Sequence, residues 1–254
     1  MTRILSVVSG KGGVGKTTLV SNLSASFVQV GKKVLVIDGN VTGSNLHIHL
    51  GIEAGDDLTT LNDVLEEKAF ITQAIYRHPL GFSIIPASLS KLKFDEKEFD
   101  LKSHIFELLG DYDVILIDAA AGLGEEVQAA INSSDVSVII TNPDPASLVN
   151  ALHTKKLLEL KEKDIVGVVL NKVRGEKDEH DKNYVEEYVG LPVVCEIPYH
   201  HKIRRSVYKK KPIVESDPHL TPSRRMKTLA YKIVDEDVPK ENLIEQLKII
   251  IFNI

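Results

Sequence analysis

Short apolar runs rich in Val and Ile alternate along this chain with longer stretches whose apolar residues recur every three or four positions. The runs cover residues 4–8, 33–37, 82–85, 114–117, 136–140, 165–170 and 193–197. Most are near-continuous in hydrophobicity and lack period-two alternation. That is the pattern of strands covered on both faces, as in a parallel sheet. Between them, Leu19, Leu23 and Phe27 fall every fourth residue. Leu148, Leu152, Lys155 and Glu159 lie on another helical stretch, to which Leu157, Leu158 and Leu160 add apolar surface. Strand–helix alternation of this kind predicts an α/β fold, a doubly wound and mostly parallel sheet flanked by helices. Two regions break the rhythm. Residues 87–111, with Lys91, Lys93, Asp95, Glu96, Lys97, Glu98 and Asp100, predict an exposed connection and a helix. Asp235-Glu236-Asp237-Val238-Pro239 ends a helix, because proline cannot continue one. The expected division is a domain over 1–238 and an apolar tail over 239–254.

The tail admits several readings. Leu243, Ile244, Leu247, Ile250, Ile251 and Ile254 follow the spacing of one helical face. A helix lying on a membrane should carry a basic polar face, yet Lys240 and Lys248 are balanced by Glu241 and Glu245. The run 249–252 suits a strand equally. A membrane contact, a dimer or partner contact and a docked terminal element all remain open.

Composition narrows the function classes. A length of 254 residues allows one large domain or two small ones. A net charge of −5 argues against a generally basic nucleic-acid binder but leaves room for a local patch, for which Lys202, Arg204, Arg205, Lys209, Lys210 and Lys211 are candidates. The single cysteine, Cys195, excludes an intrachain disulfide framework and a four-cysteine metal or iron–sulfur site within one chain. No apolar run approaches the roughly 18 residues of a spanning helix. The first residues read as a strand running into a Gly-Lys loop and not as a signal peptide. The cytoplasm is the expected compartment, with peripheral attachment through the tail left open. The histidines His47, His49 and His201 show no metal-ligand spacing and read as structural.

Gly10-Lys11-Gly12-Gly13-Val14-Gly15-Lys16-Thr17-Thr18 fits G-x-x-x-x-G-K-[ST]. It follows a predicted strand and opens a predicted helix, which is the context that gives the motif meaning. Glycines let backbone N–H groups converge on phosphate oxygens, and the helix start adds a positive dipole end. Lys16 is expected at the β- and γ-phosphates, the Thr17 hydroxyl at Mg²⁺, and Thr18 at the α-phosphate.

The extra lysine, Lys11, makes the segment resemble the deviant-Walker-A ATPases of the MinD/ParA group, whose K-G-G-x-G-K-[ST]-[ST] pattern is matched at every position. The resemblance implies that Lys11 reaches the nucleotide of a second subunit, so that ATP stabilises a face-to-face homodimer. Val36-Ile37-Asp38-Gly39-Asn40 and the following Asn45-Leu46 resemble the family's first switch, with Asp38 near Mg²⁺ and Lys11. Its second aspartate, which orients the attacking water, is replaced by Asn40. The asparagine cannot accept a proton, and slow hydrolysis of ATP to ADP and phosphate is the expected consequence. Ile115-Leu116-Ile117-Asp118 and the Ala119-Ala120-Ala121-Gly122 that follows resemble the Walker B strand and second switch, lacking the family's proline. The resemblance puts Asp118 at Mg²⁺ and the Gly122 N–H at the γ-phosphate. Thr141-Asn142-Pro143-Asp144 resembles a turn near the dimer face, and an ordinary helix cap at Asp144 or Ser147 explains it equally. Asn171 and Pro198 lie in segments resembling those that contact and close over adenine. The likeness runs over residues 3–234 and uses strands from both halves of the chain, which favours one domain.

Within the family, Asn45-Leu46-His47-Ile48-His49-Leu50-Gly51 and Phe82-Ser83-Ile84-Ile85-Pro86-Ala87 look most like the MinD branch. That branch implies an ATP-dependent spatial regulator of cell division with a regulatory protein partner. The alternatives are a ParA-like DNA-partition ATPase, to which the 202–211 basic cluster points, and an ATP-dependent synthetase or kinase on the same fold, against which Lys11 speaks. Cluster-carrying relatives are excluded by the lone cysteine.

Overall fold

The computed structural model describes residues 2–52, 58–88 and 100–236. The 239–254 tail, the reading placed on it, and all of the charged residues at 91–98 lie outside these.

The strands are β1 Arg3–Ser9, β2 Val34–Gly39, β3 Tyr76–Arg77, β4 Ser83–Ile85, β5 Val114–Ala121, β6 Val136–Thr141, β7 Asp164–Val173 and β8 Val193–Pro198. They form one sheet in the order β3-β4-β2-β5-β1-β6-β7-β8. Every neighbouring pair is parallel except β3 with β4. The sheet is thus the doubly wound, mostly parallel one that the apolar runs predict. The addition is β3, two residues held antiparallel on the edge by Tyr76 opposite Ile84 and Arg77 opposite Ser83. Two residues are too few to show a period. The helices are α1 Lys16–Gln29, α2 Leu46–Leu50, α3 Leu61–Leu65, α4 Leu101–Phe106, α5 Glu125–Ser133, α6 Pro145–Leu160, α7 Lys182–Val189, α8 His201–Tyr208, α9 Ile213–Ser216 and α10 Thr221–Ile233.

Successive strand residues point to opposite faces, and both faces are dry. Ile4, Leu35 and Ile115 enter one apolar cluster. Their neighbours Leu5, Val36 and Leu116 enter the other. Burying each such side chain contributes about 1.5–3 kcal/mol, and double coverage is why these strands read as unbroken apolar runs. Leu19, Leu23 and Phe27 seat α1 on the second face, together with Met226 and Leu229 of α10. Val127 and Ile131 of α5 and Leu148 and Leu158 of α6 cover the first.

Helix α1 is buried nearly all round, so its polar residues are tied down internally. Asn22 donates to the Thr18 carbonyl at 2.7 Å and accepts from the Val214 N–H at 3.1 Å. Ser21 donates to the same Thr18 carbonyl at 2.9 Å.

β1 occupies the middle of the sheet, between β5 and β6. Helix α1 leaves it onto one face, while α5 and α6, which follow the flanking strands, pack on the other. The chain therefore diverges at the carboxyl end of β1, and a crevice opens there, as ligand sites do in open α/β sheets.

Candidate functional site

The loop between β1 and α1 fills that crevice. Gly13 and Gly15 adopt left-handed backbone, with φ of +76° and +106°. Gly15 is the N-cap of α1, and no side chain caps the helix. Its first N–H groups are therefore left for a ligand. The glycines serve different ends. A Cβ on Gly15 would lie 2.4 Å from Asn171 Nδ2, and one on Gly10 would lie 2.9 Å from the Asn150 carbonyl. Gly12 has neither a left-handed backbone nor a close neighbour, for its Cβ would meet only Ala121 at 3.8 Å. The fold tolerates a side chain at Gly12, so the space above it is a cradle that protein atoms do not fill.

Side chains from β7 hold this loop. Asn171 Nδ2 donates to the Val14 carbonyl at 2.7 Å, and Lys172 Nζ donates to the Gly13 carbonyl at 2.7 Å. The Asn171 amide group, which the family resemblance turns toward adenine, gives one of its two N–H donors to the loop. Pro198 ends the neighbouring β8, where the Tyr199 N–H donates to the Val173 carbonyl at 2.7 Å. Arg174 stacks over the Tyr199 ring, 4.6 Å from its centre. Asn171, Pro198 and this stacked pair thus lie together at the carboxyl ends of β7 and β8.

Two buried carboxylates stand side by side across β2 and β5, where Asp38 and Asp118 are in register. Asp38 accepts from the Ser44 hydroxyl at 2.6 Å and from the Asn40 N–H at 3.2 Å. Asp118 accepts from the Thr17 hydroxyl. Its Oδ1 is buried without a partner. Burial pushes both carboxyls well above the usual carboxylate range, and the charge of Asp38 raises Asp118 further, while Thr17 and Lys16 oppose. Burial likewise pushes the Lys16 ammonium down, and Asp118 opposes that shift. Crowded buried carboxylates with an unused oxygen, next to a hydroxyl, are an electron-rich set that a hard cation would relieve. Thr17 and Asp118 fit Mg²⁺ in that sense.

Two side chains and one backbone N–H sit differently from what the sequence suggests. Lys11 does not face Asp38. Its Nζ lies 3.3 Å from Asp144 Oδ1 and 3.2 Å from Ser147 Oγ. Asp38 is buried and already satisfied by Ser44, whereas Asp144 is half-exposed and free to pair. Asp144 also caps α6, accepting from the Ser147 N–H at 2.9 Å, as the cap reading of the 141–144 turn expects. Burial works against the Asp144 carboxylate, but the Ser147 donors and Lys11 hold its carboxyl below the usual range. Asn40 folds back into its own loop, donating to the Gly43 carbonyl at 2.6 Å. The Gly122 N–H donates to the Ser9 carbonyl at 3.1 Å. β5 runs on to Ala121 and brings Gly122 against the end of β1, where a phosphate contact would require this segment to shift.

Elsewhere the chemistry is sparse. Lys202 of the basic cluster pairs with Asp217 at 2.9 Å, and Arg204 lies over Tyr208. Burial pushes the Cys195 thiol up to about 12. Among the described residues no group of His, Cys, Asp and Glu could hold a metal by itself, and no helix is long and apolar enough to cross a membrane.

The CobQ/CobB/MinD/ParA nucleotide binding domain matches residues 5–213. An uncharacterized ATP-binding protein of Methanocaldococcus jannaschii is 31% identical, with 96% of each chain covered. The septum site-determining protein MinD of Pyrococcus horikoshii, solved in complex with Mg-ADP, superposes with a TM-score of 0.86 at 32% identity, covering 92% of this chain and 96% of that one. MinD in the MinC:MinD cell division protein complex of Aquifex aeolicus gives a TM-score of 0.82 at 27% identity, over 94% of this chain and 99% of its own.

Proposed function

Because this chain belongs to the CobQ/CobB/MinD/ParA nucleotide-binding family, we propose that it is an ATP-driven dimerising switch of the MinD kind. One observation carries the reading. The glycine loop, the uncapped start of α1, Lys16, Thr17 and the unpartnered oxygen of Asp118 converge at one end of the sheet. Gly10, Lys11, Gly12, Gly13, Val14, Gly15, Lys16, Thr17 and Thr18 wrap the phosphates, with Lys16 countering their charge. Burial that lowers the Lys16 pKa strengthens the lysine's drive to find an anion. Thr17 and Asp118 would hold Mg²⁺, which would supply charge neutralisation to the phosphates. Gly122 closes on the γ-phosphate after leaving Ser9, and Asn171 and Pro198 border the adenine. Asp38 braces the loop after β2 through Ser44 and the Asn40 N–H.

Lys11 is the switching element. In the single chain its ammonium rests on Asp144 and Ser147, both within 3.3 Å. That pair is solvent-exposed, and such pairs contribute only about 0–1 kcal/mol. A phosphate group offered by a second ATP-loaded copy is a stronger partner, so two chains close face to face. Asn40 cannot take a proton from water, which leaves turnover slower than an aspartate at that position would give and lengthens the life of the dimer. Asn40→Asp should raise the rate. The dimer then presents a surface to a regulatory protein, as MinD does in the Aquifex complex with MinC, and segment 239–254 is the candidate for a membrane contact.

The test is oligomeric state by light scattering and sedimentation with liposomes, each in Mg-ATP and Mg-ADP, for the full chain and for a chain ending at Val238. The proposal expects ATP-dependent dimers in both and ATP-dependent vesicle binding in the full chain alone. No ATP-dependent change of either kind would overturn it.

A further inference from the structure

A third carboxylate faces the ends of β2 and β5. Glu126 lies in the first turn of α5, four positions after Gly122. One of its oxygens accepts from the Thr42 hydroxyl at 2.6 Å. Thr42 belongs to the loop that follows β2, two positions after Asn40, so this bond ties the connections after β2 and β5 to each other. The other Glu126 oxygen is buried and has no partner. An acceptor left bare in a dry place is costly, about 1–3 kcal/mol, and natural folds seldom keep one without use.

The other candidates for handling a proton here have other duties, since the one bare oxygen among them, Oδ1 of Asp118, is the one that fits Mg²⁺. Asn40 carries a carboxamide whose N–H₂ is spent on Gly43. Asp38 is fully buried and holds Ser44 and the Asn40 N–H. Asp118 is engaged by Thr17 and lies against Lys16. Glu126 is near enough for its charge to add to the upward push on Asp38, which places it on the same side of the site.

We propose that Glu126 is the group that orients and deprotonates the attacking water, supplied from α5 in place of the loop position filled by Asn40. The assignment rests on the ATP-hydrolysis reading above. The water oxygen forms a bond to the γ-phosphorus while the bond from that phosphorus to the β,γ-bridging oxygen breaks. The bridging oxygen departs on ADP with the electron pair, and the water proton passes to the free oxygen of Glu126 and then to solvent. Thr42 fixes the carboxylate by its first oxygen, so the second keeps its direction.

The experiment uses the full chain with Mg-ATP. It measures kcat and KM, and affinity for a non-hydrolysable ATP analogue, for wild type, Glu126→Gln and the double variant Glu126→Gln/Asn40→Asp. Glutamine retains an acceptor for Thr42, so the fold and the loop tie persist. Glu126→Gln should lower kcat about 100-fold, the scale of general-base catalysis, with KM and analogue affinity within about threefold of wild type. The double variant should recover at least tenfold, because a carboxylate is restored from the other loop. A Glu126→Gln protein that keeps kcat within twofold, or that loses analogue affinity as much as kcat, would overturn the assignment and leave the ATPase reading standing. Absence of turnover from wild type and from Asn40→Asp alike would overturn the ATPase reading, and the assignment with it.

Discussion

Gly15 sits where backbone geometry and a neighbour's side chain both forbid a methyl group, and the two costs are separable. At φ +106° an alanine is strained, by about 1–2 kcal/mol on the scale of left-handed backbone. Its Cβ would also lie 2.4 Å from Asn171 Nδ2, so the amide must move and give up its 2.7 Å bond to the Val14 carbonyl. Losing that bond adds about 0.5–1.5 kcal/mol. Gly15→Ala should therefore cost about 3 kcal/mol, a fall of roughly 6–12 °C in Tm for a chain of this size. Gly13 lies in the same loop at φ +76° with nothing within 4 Å of a Cβ, so Gly13→Ala carries only the strain, about 1–2 kcal/mol. The assay is thermal unfolding without nucleotide for both single variants, for Asn171→Ala, and for Gly15→Ala/Asn171→Ala. With the amide gone, Gly15→Ala should cost no more than Gly13→Ala, and the coupling between positions 15 and 171 should be about 1 kcal/mol or more. Equal costs for Gly13→Ala and Gly15→Ala in the native background, or additivity in the double variant, would refute the reasoning.

Two further outcomes follow from the same site. Gly12→Ala should leave Tm within about 1 °C, since a Cβ there meets only Ala121 at 3.8 Å, while weakening ATP binding at least tenfold by calorimetry; unchanged affinity would show that the cradle is not the phosphate site. Burial pushes the Asp38 and Asp118 carboxyls of the folded chain well above the ordinary aspartate range, and the charge of Asp38 raises Asp118 further. The folded state thus holds more protons than the unfolded one between about pH 4 and 7, and their contribution to stability falls as pH rises through that window. Unfolding followed from pH 4.5 to 8 should show a steeper decline in wild type than in Asp118→Asn, and equal slopes would contradict the burial argument.

The strands that matter were visible in the sequence because double coverage leaves a simple mark. Leu35 and Val36, or Ile115 and Leu116, bury on opposite faces, so no polar residue interrupts the run. β3 left no such mark, being two residues defined by what they pair with. The glycine loop was legible through its spacing, as were Asp38 and Asp118 through the apolar runs that they follow. What holds the loop was not. Asn171 and Lys172 reach it from a strand 157 and 159 positions away, and no local pattern encodes a tie of that range. Glu126 was equally silent, since two adjacent glutamates at a helix start read as favourable charges near the dipole. Lys11 was expected beside Asp38, and only the burial of Asp38 against Ser44 explains its turn to Asp144.

The central position of β1 has a consequence for the order in which the molecule can come into being. β1, which precedes the other described strands in the chain, aligns Arg3 with Val114 of β5 and Leu5 with Val136 of β6. Until residue 141 has left the ribosome, β1 lacks a complete neighbour on either side or on one, and the loop behind it has no fixed ends. A nascent chain halted near residue 100 therefore carries the whole glycine motif without a nucleotide site. Such distant pairings slow folding, because loop closure must precede the contacts that reward it. On the proposed reading, nucleotide capture would follow the arrival of β7, which brings Asn171 and Lys172 to the loop, and ATP would act on the newborn chain as a late lock on an assembled sheet.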